Sequence, residues 1–252
     1  MKAIIIYLLG SISLIAQNFD LLATYTLDLN TDFPNSHTTS LLIDSNENIS
    51  YYILDFGGIK ENEFNEESNE IIVRSKNTDN LLIYNKLNEF IVSQELTFND
   101  SFWVKESLSF DWEISNETKE SDGYVMQKAT TTFRGRDYIA WFTKEIPIPM
   151  GPYKFYGLPG LILEIYDTDN IYHWTITKIE ENKTIASNNL YPEHHDFLSM
   201  KQFVEKKENS DNQIDSSIIS RLPKGANLKS VRSTTVPVER KGIEIKFEWE
   251  ED

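Results

Sequence analysis

The chain has 252 residues, a formal net charge of −16 and no cysteine. Without cysteine there are no disulfides, no thiolate chemistry and no thiol for lipid attachment. So acidic a chain should repel nucleic acid and anionic lipid surfaces, because both bind proteins through lysine and arginine.

The first residues predict export. Lys2 precedes an apolar run, 3–16, with small residues near its end, which is the pattern of a secretory signal peptide. The run is shorter than the roughly 20 residues of a comfortable membrane span. We expect cleavage after Ala16, so that 1–16 is the signal peptide and 17–252 is a single domain. The mature protein is then periplasmic or secreted, has no transmembrane segment and is not a lipoprotein.

Most of the following chain alternates apolar and polar residues, which predicts antiparallel strands. In chain order the first predicted strands are FDLLATYTLDLN (19–30), ISYYILDF (49–56), NEIIVRS (69–75) and SLSFDWEIS (107–115). The polar clusters DSNEN (44–48) and KNTDN (76–80) are predicted as hairpin tips. The acidic stretch ENEFNEESNE (61–70) is interpreted as a solvated loop.

Two further hairpins are predicted in the middle of the chain. Strands within 123–133 and 137–143 flank RGRD, and strands within 160–167 and 171–179 flank DTDN. A helix is expected within 193–209 with Asp196 as N-cap, followed by a loop at 208–236 and a closing strand at 242–252. The predicted fold class is mainly β: a single curved antiparallel sheet or half-barrel, with one or two helices near the C-terminus.

A proline-rich segment, EIPIPMGPYKFYGLPG (145–160), separates these two hairpins. It can be neither a central strand nor a helix, because its four prolines donate no backbone hydrogen bonds. We predict a rigid arm that lies across or beside the sheet and turns at Gly157–Gly160 into the next strand. Its aromatic side chains either pack on the sheet or form the lip of a ligand cavity. The glycine spacing fits neither standard phosphate-binding motif.

The same region resembles the GLPGLI family of exported Bacteroidota proteins. The family is named for the hexapeptide found here as Gly157, Leu158, Pro159, Gly160, Leu161 and Ile162. The resemblance covers about residues 105–180 and includes segments 112–119, 123–143 and 146–167. It implies a small β-rich envelope protein of largely uncharacterised activity, often encoded near outer-membrane transport genes. The pattern is also similar to the bowl-like, non-catalytic N-terminal domain of a peptide N-glycosidase. Met126 stands where relatives often carry cysteine, so a thiol role would not transfer.

Several residues are candidates for ligand binding. The candidate set is Trp112, Arg134, Arg136, Trp141, Tyr153, Phe155 and Tyr156. The aromatic members can form a ligand platform or a core. The two arginines can clamp a carboxylate or phosphate, or brace their turn by pairing with Asp137 or Glu145. Glu145 and Glu164 are either a carboxylate pair for acid–base chemistry or solvated surface.

His194 and His195 in EHHD (193–196) are the candidate metal ligands, because histidine and carboxylate bind zinc and copper. Adjacent histidines diverge on one element, so a third ligand such as His173 or His37 would be needed. The alternative is a polar start to the helix. The sequence indicates no particular cofactor.

These observations favour a non-enzymatic exported protein that holds or presents a hydrophobic or peptidic ligand, or assists an outer-membrane transporter. One alternative is a metal-assisted hydrolase that uses His194, His195 and nearby carboxylates. The other is a structural protein that interacts through an exposed edge strand.

Overall fold

The computed structural model describes residues 15–54, 63–65, 70–72, 81–87, 89–97, 100–187, 196–221, 240 and 242–250. Within these residues the elements are, in chain order, β1 (Ile15–Leu29), β2 (Asn35–Asp44), β3 (Ile49–Leu54), β4 (Glu63–Asn65), β5 (Glu70–Ile72), β6 (Leu81–Lys86), β7 (Phe90–Leu96), β8 (Ser101–Glu106), β9 (Glu113–Ser121), β10 (Tyr124–Phe133), β11 (Arg136–Thr143), β12 (Leu161–Asp167), β13 (Tyr172–Ser187) and α1 (Met200–Arg221).

Eleven of these strands form one antiparallel sheet in the order β8-β7-β6-β3-β2-β1-β13-β12-β11-β10-β9. The sheet does not close into a barrel, so β8 and β9 are its two edges. The pairing of β1 with β13 joins the two halves of the chain and places Leu29 opposite Tyr172. The predicted mainly β fold, with one antiparallel sheet, is confirmed.

Three of the predicted turns are confirmed. DSNEN joins β2 to β3, RGRD joins β10 to β11, and DTDN joins β12 to β13. Arg134 and Gly135, the two residues between the paired residues Phe133 and Arg136, have positive φ angles of 45° and 86°. Such angles match the twist of a two-residue hairpin turn. KNTDN lies outside the described residues.

Two strand predictions need correction. The strand expected at 107–115 begins only at Glu113, and 107–112 belongs to no strand. Its alternation is caused by packing, because Leu108, Phe110 and Trp112 contact the main hydrophobic core from an extended segment. The acidic stretch 61–70 is not wholly a loop, since β4 pairs with β5 in a separate two-stranded sheet.

The C-terminal predictions are also corrected. Residues 242–250 form no strand. Instead, the backbone N–H groups of Ile245 and Lys246 both donate to the carbonyl oxygen of Arg134, at 3.0 and 3.1 Å. The side chain of Phe247 is buried against α1 and β8. An alternating apolar pattern therefore reflects a segment packed on the core and not a ladder strand.

The predicted helix exists, but its limits differ from those expected. Ser199, and not Asp196, caps its start: the Gln202 N–H donates to Ser199 Oγ, and Gln202 Oε1 accepts the Ser199 N–H at 2.9 Å. This reciprocal pair is a capping box. The helix continues to Arg221, through residues predicted as loop. Within the described part of the chain, no helix has the length and apolar character to span a bilayer.

The main hydrophobic core lies on one face of the sheet, which we call the inner face. Phe155 of the arm is at its centre, with ring centroids 4.8 Å from Tyr138 and 6.1 Å from Trp174. On the opposite, outer face, Tyr51, Tyr84 and their neighbours form a second cluster in the other half of the sheet.

The arm at residues 145–160 covers the inner face, as predicted. Backbone hydrogen bonds fix its course: the Gly157 N–H donates to Pro149, and the Ile162 N–H donates to Met150. Gly160 permits the final turn, because a Cβ there would lie 1.9 Å from the carbonyl oxygen of Thr143. The arm thus fills the side of the sheet where a ligand cavity was one of two expectations.

Candidate functional site

A buried charge cluster lies under the arm. The Lys154 side chain is fully buried, and its Nζ lies 2.8 Å from Glu244, 2.9 Å from Glu106 and 3.2 Å from Glu95. Burying an ammonium without partners costs several kcal/mol. The three carboxylates explain how a lysine can occupy the core side of an otherwise apolar arm.

Arg134 belongs to the same cluster. Its guanidinium donates to Glu244 at 2.6 Å, to Glu248 at 3.0 Å and to Glu106. The Tyr153 hydroxyl donates to Glu244 at 2.6 Å. Burial raises the pKa of Glu244, but the positive charges of Lys154 and Arg134 outweigh it and lower that pKa to about 2. Burial lowers the pKa of Lys154, and the surrounding carboxylates overcome this so that its pKa rises.

Each charged group in this cluster lies within ion-pair distance of at least one group of opposite charge. It joins the arm to β7 through Glu95, to β8 through Glu106 and to the C-terminal segment through Glu244. We therefore assign it a structural task.

Arg136, the second arginine of the RGRD turn, is also engaged. It pairs with Asp167 at 3.0 Å and donates from Nε and Nη2 to the carbonyl oxygen of Gly242. Neither arginine pairs with the residues named from the sequence. Asp137 accepts a bond from Thr132 Oγ1, and Glu145 accepts one from the Val125 N–H. Both arginines brace the C-terminal segment against the hairpin tip.

Four of the candidate aromatic residues lie together on the inner face. Trp112 Nε1 donates to the carbonyl oxygen of Tyr156 at 2.8 Å, and the Tyr156 hydroxyl donates to that of Leu108. Tyr153 and Phe155 are buried beside them. The rings contact one another, so these residues act first as core.

The candidate metal ligands His194 and His195 lie outside the described residues. Among the residues described, no three His, Cys, Asp or Glu side chains are grouped so that they could hold a metal ion. His173, one proposed third ligand, pairs with Glu164, and His37 lies in β2 opposite Leu27.

Trp141 lies on the outer face, away from the other candidate aromatics. Tyr138 and Ala140 face the core, and alternation along β11 turns Trp141 to the other side. Cross-strand pairing places Lys128, Trp141, Glu164 and Thr175 in one row across four strands. In this row Glu164 lies between Trp141 and Thr175.

We call Trp141, Glu164 and His173 the outer-face cradle. His173 Nε2 is 2.9 Å from Glu164 Oε1. Lys119 reaches in from β9: its Nζ lies 4.3 Å from the ring centroid of Trp141 and pairs with Glu164. The hydrogen bond with His173 and the pairing with Lys119 lower the pKa of Glu164.

Lys119 is held only weakly in this cradle. Its side chain is 34% exposed, and an exposed ion pair contributes about 0–1 kcal/mol. A cation over an aromatic ring at an exposed site adds about 0.5–1 kcal/mol. The Nε1 atom of Trp141 is buried and has no hydrogen-bond partner among the described residues. An unsatisfied buried donor is unfavourable.

The two edges of the sheet differ. At β8 the Lys105 N–H donates to Leu198, and the Leu198 N–H donates to Trp103, so the segment before α1 covers this edge. No strand within the described residues pairs with the outer side of β9. The side chains of β9 are exposed along almost its whole length, Lys119 being the exception. Among the described residues, one edge of the sheet is thus covered and the other is open.

Lys154 and Glu244 were not predicted as site residues from the sequence, and Trp141, Glu164 and His173 were each named as candidates but for three different sites. A single lysine among the aromatic residues of YKFY (153–156) was an available signal for Lys154. Glu164 was singled out, but its partners Lys119 and His173 lie 45 and 9 residues away. No local pattern reports such pairings.

The protein therefore belongs to the class of open antiparallel sheets, and residues 145–160 of the same chain cover the inner face of its sheet. Residues 133–164 match the model of a family described as "Protein of unknown function (Porph_ging)". The match includes the GLPGLI hexapeptide, and membership of the GLPGLI family stays a prediction. No curated protein matches the chain.

Two crystal structures of PNGF-II have a similar fold. The form in space group P21 has a TM-score of 0.51 at 14% identity and covers 76% of this chain. The form in space group C2 has a TM-score of 0.50 at the same identity and coverage. The chain spans about a third of the length of those chains, 34% and 33%. At this identity the likeness concerns the fold alone.

Proposed function

We propose that the protein is a non-catalytic binding module that recognises an extended, basic segment of a partner protein by adding it as a strand to β9. The observation that carries this proposal is the difference between the two edges. A peptide strand added to an open edge gains main-chain hydrogen bonds, while side chains set the choice of partner.

The backbone of β9 has the required geometry. Asp122 and Gly123 both have positive φ and form a two-residue turn, so Ser121 and Tyr124 exchange ladder hydrogen bonds. Glu120 then belongs to a pair without ladder bonds, consistent with the Val125 N–H donating instead to Glu145. The N–H and C=O groups of Thr118 and Glu120 consequently point to the open edge.

Charge defines the partner. β9 carries Glu113, Glu117 and Glu120. Glu117 pairs with Lys128, and the one lysine of β9, Lys119, pairs with Glu164. The whole chain has a net charge of −16. Charged side chains on an edge strand oppose pairing between identical copies, and these carboxylates attract a lysine- or arginine-rich strand. If the predicted export is correct, this binding takes place in the periplasm or medium, and we propose as partner a peptide or a basic segment of an envelope protein such as a transporter.

The test uses the purified chain and a fluorescent nine-residue peptide of alternating lysine and threonine, which matches the length of β9. We expect binding that weakens with salt, and much weaker binding when glutamate replaces lysine or when alternate peptide nitrogens are methylated. Glu120→Lys should reduce the affinity several-fold. Glu47→Lys, at an exposed turn between β2 and β3, makes the same charge change and should leave it unaltered. The proposal is overturned if the methylated peptide binds as tightly as the unmethylated one, or if Glu120→Lys and Glu47→Lys lose the same amount of affinity.

A further inference from the structure

We infer that the outer-face cradle of Trp141, Glu164 and His173 is a binding site for an alkyl-ammonium or guanidinium group, and that Lys119 of the same chain occupies it in the unliganded state. This goes beyond strand addition at β9, because the cradle recognises one cationic group and needs no backbone pairing.

The first support is the chemistry of the present occupant. The Lys119 ammonium contacts the face of Trp141, at 4.3 Å from the ring centroid, and the carboxylate of Glu164. An aromatic face beside a carboxylate is the combination that binds organic cations. The lysine therefore shows which class of ligand the cradle accepts.

The second support is that a hydrogen bond already orients the carboxylate of Glu164 so that one of its oxygens can accept a cation. Glu164 is held by His173 on one oxygen at 2.9 Å, which leaves the other oxygen to Lys119. The carboxylate is fixed from the β13 side, so that removing Lys119 does not remove its orientation. A second cation, Lys128, lies 5.9 Å from the Trp141 ring but is paired with Glu117 at 2.7 Å.

The third support is the indole nitrogen of Trp141. Trp141 is only 6% exposed, and its Nε1 has no hydrogen-bond partner among the described residues. Lys119 can offer no acceptor to this N–H, since an ammonium only donates. A ligand that carries a carbonyl near its cationic group, as a peptide does, supplies the missing acceptor.

Lys119 is therefore a replaceable occupant, and removing it should open the site. The probe is N-acetyl-arginine amide, with neutral N-acetyl-norleucine amide as its match, and the readout is the NMR signal of the Trp141 indole N–H. This signal is assigned by its loss in Trp141→Phe. Lys119→Ala, and Lys119→Met, which keeps the aliphatic stem, should each bind the arginine probe roughly two- to fivefold more tightly than the unmodified chain. Lys178→Ala removes an exposed lysine of β13 and should change nothing.

The double variant Lys119→Ala/Glu164→Gln should lose the gained affinity, and the norleucine probe should not shift the Trp141 signal. Spermidine serves as a second arm. Tighter binding of spermidine than of the arginine probe assigns the site to a free polyamine, and the reverse assigns it to a basic side chain of a peptide. The inference is overturned if neither Lys119 variant binds the arginine probe more tightly, or if the double variant binds as well as Lys119→Ala. Because these probes are too short to add a strand, the outcome is independent of the test on β9.

Discussion

The ammonium of Lys154 lies 2.8 Å from the carboxylate of Glu244, across 90 residues of sequence. This contact joins the proline arm to the C-terminal segment inside the protein. Both groups are buried, and each supplies part of the other's counter-charge: Glu106 and Glu95 also pair with Lys154, and Arg134 also pairs with Glu244.

Replacing Lys154 by methionine should therefore lower the free energy of unfolding by about 3–5 kcal/mol, because removing one partner leaves buried carboxylates uncompensated. The measurement is urea-induced unfolding at neutral pH. Lys178→Met removes an exposed lysine that pairs with Glu180 and should change stability by less than about 0.5 kcal/mol. Equal effects of the two substitutions would show that the buried cluster contributes little.

The stability that Glu244 contributes should depend on pH. Its folded-state pKa of about 2 lies below the ordinary value of 4.5. The contribution is therefore fully present above pH 4.5 and is lost as the pH falls towards 2. We expect Glu244→Gln to be less stable than the unmodified chain at pH 7, and the difference to shrink at about pH 3. A difference that stays constant between these two pH values would contradict the assigned pKa.

Gly160 should tolerate no side chain. A Cβ at this position would lie 1.9 Å from the carbonyl oxygen of Thr143, which is backbone and cannot move aside cheaply. Gly160→Ala should destabilise the fold by several kcal/mol or prevent folding. Gly123 is the matched control: its φ is +82°, but a methyl group placed there would meet no atom within 4 Å. Gly123→Ala should cost only about 1 kcal/mol for the backbone conformation. Similar melting temperatures for the two variants would refute the close contact at Gly160.

Ser199 should stabilise the start of α1. Ser199→Ala removes the acceptor for the Gln202 N–H and should cost about 0.5–2 kcal/mol. Hydrogen exchange of the first helical turn provides the measurement. Ser109→Ala, at an exposed position of the segment before β9, should leave this exchange unchanged. No change in exchange at Gln202 for Ser199→Ala would rule out the capping box.

Local patterns in the sequence were sufficient for three hairpin turns and for the arm. At Arg134–Gly135 the turn is encoded by residues that are neighbours in the chain, and the prolines of 147–159 limit the arm to an extended path. Alternation was less reliable, because Phe110 and Phe247 alternate with polar residues while packing on the core outside any strand. A period of two reports which side chains are buried, not whether the backbone has a ladder partner.

The candidate sites were harder to predict than the turns, because their residues are brought together by strands that are distant in the sequence. Trp141 was grouped with Trp112 and Tyr153 by residue type, whereas alternation along β11 turns it to the outer face. One of the two expectations for Arg134, that it pairs with acidic residues, is confirmed. Its partner Glu244 is 110 residues away, and the sequence could not identify it. Long-range charge pairing depends on strand order, which the sequence pattern does not state.

The sequence separation of Glu244 from Arg134 and Lys154 also sets the order in which the buried charge cluster can form. During synthesis, Arg134 and Lys154 emerge from the ribosome well before the carboxylate that they share, which follows 110 and 90 residues later. Until then Glu106 is available to both cations, but the ion pairs that join them to the C-terminal segment cannot form. Contacts this distant in sequence also form slowly. The buried charge cluster is therefore complete only after Glu244 has been made.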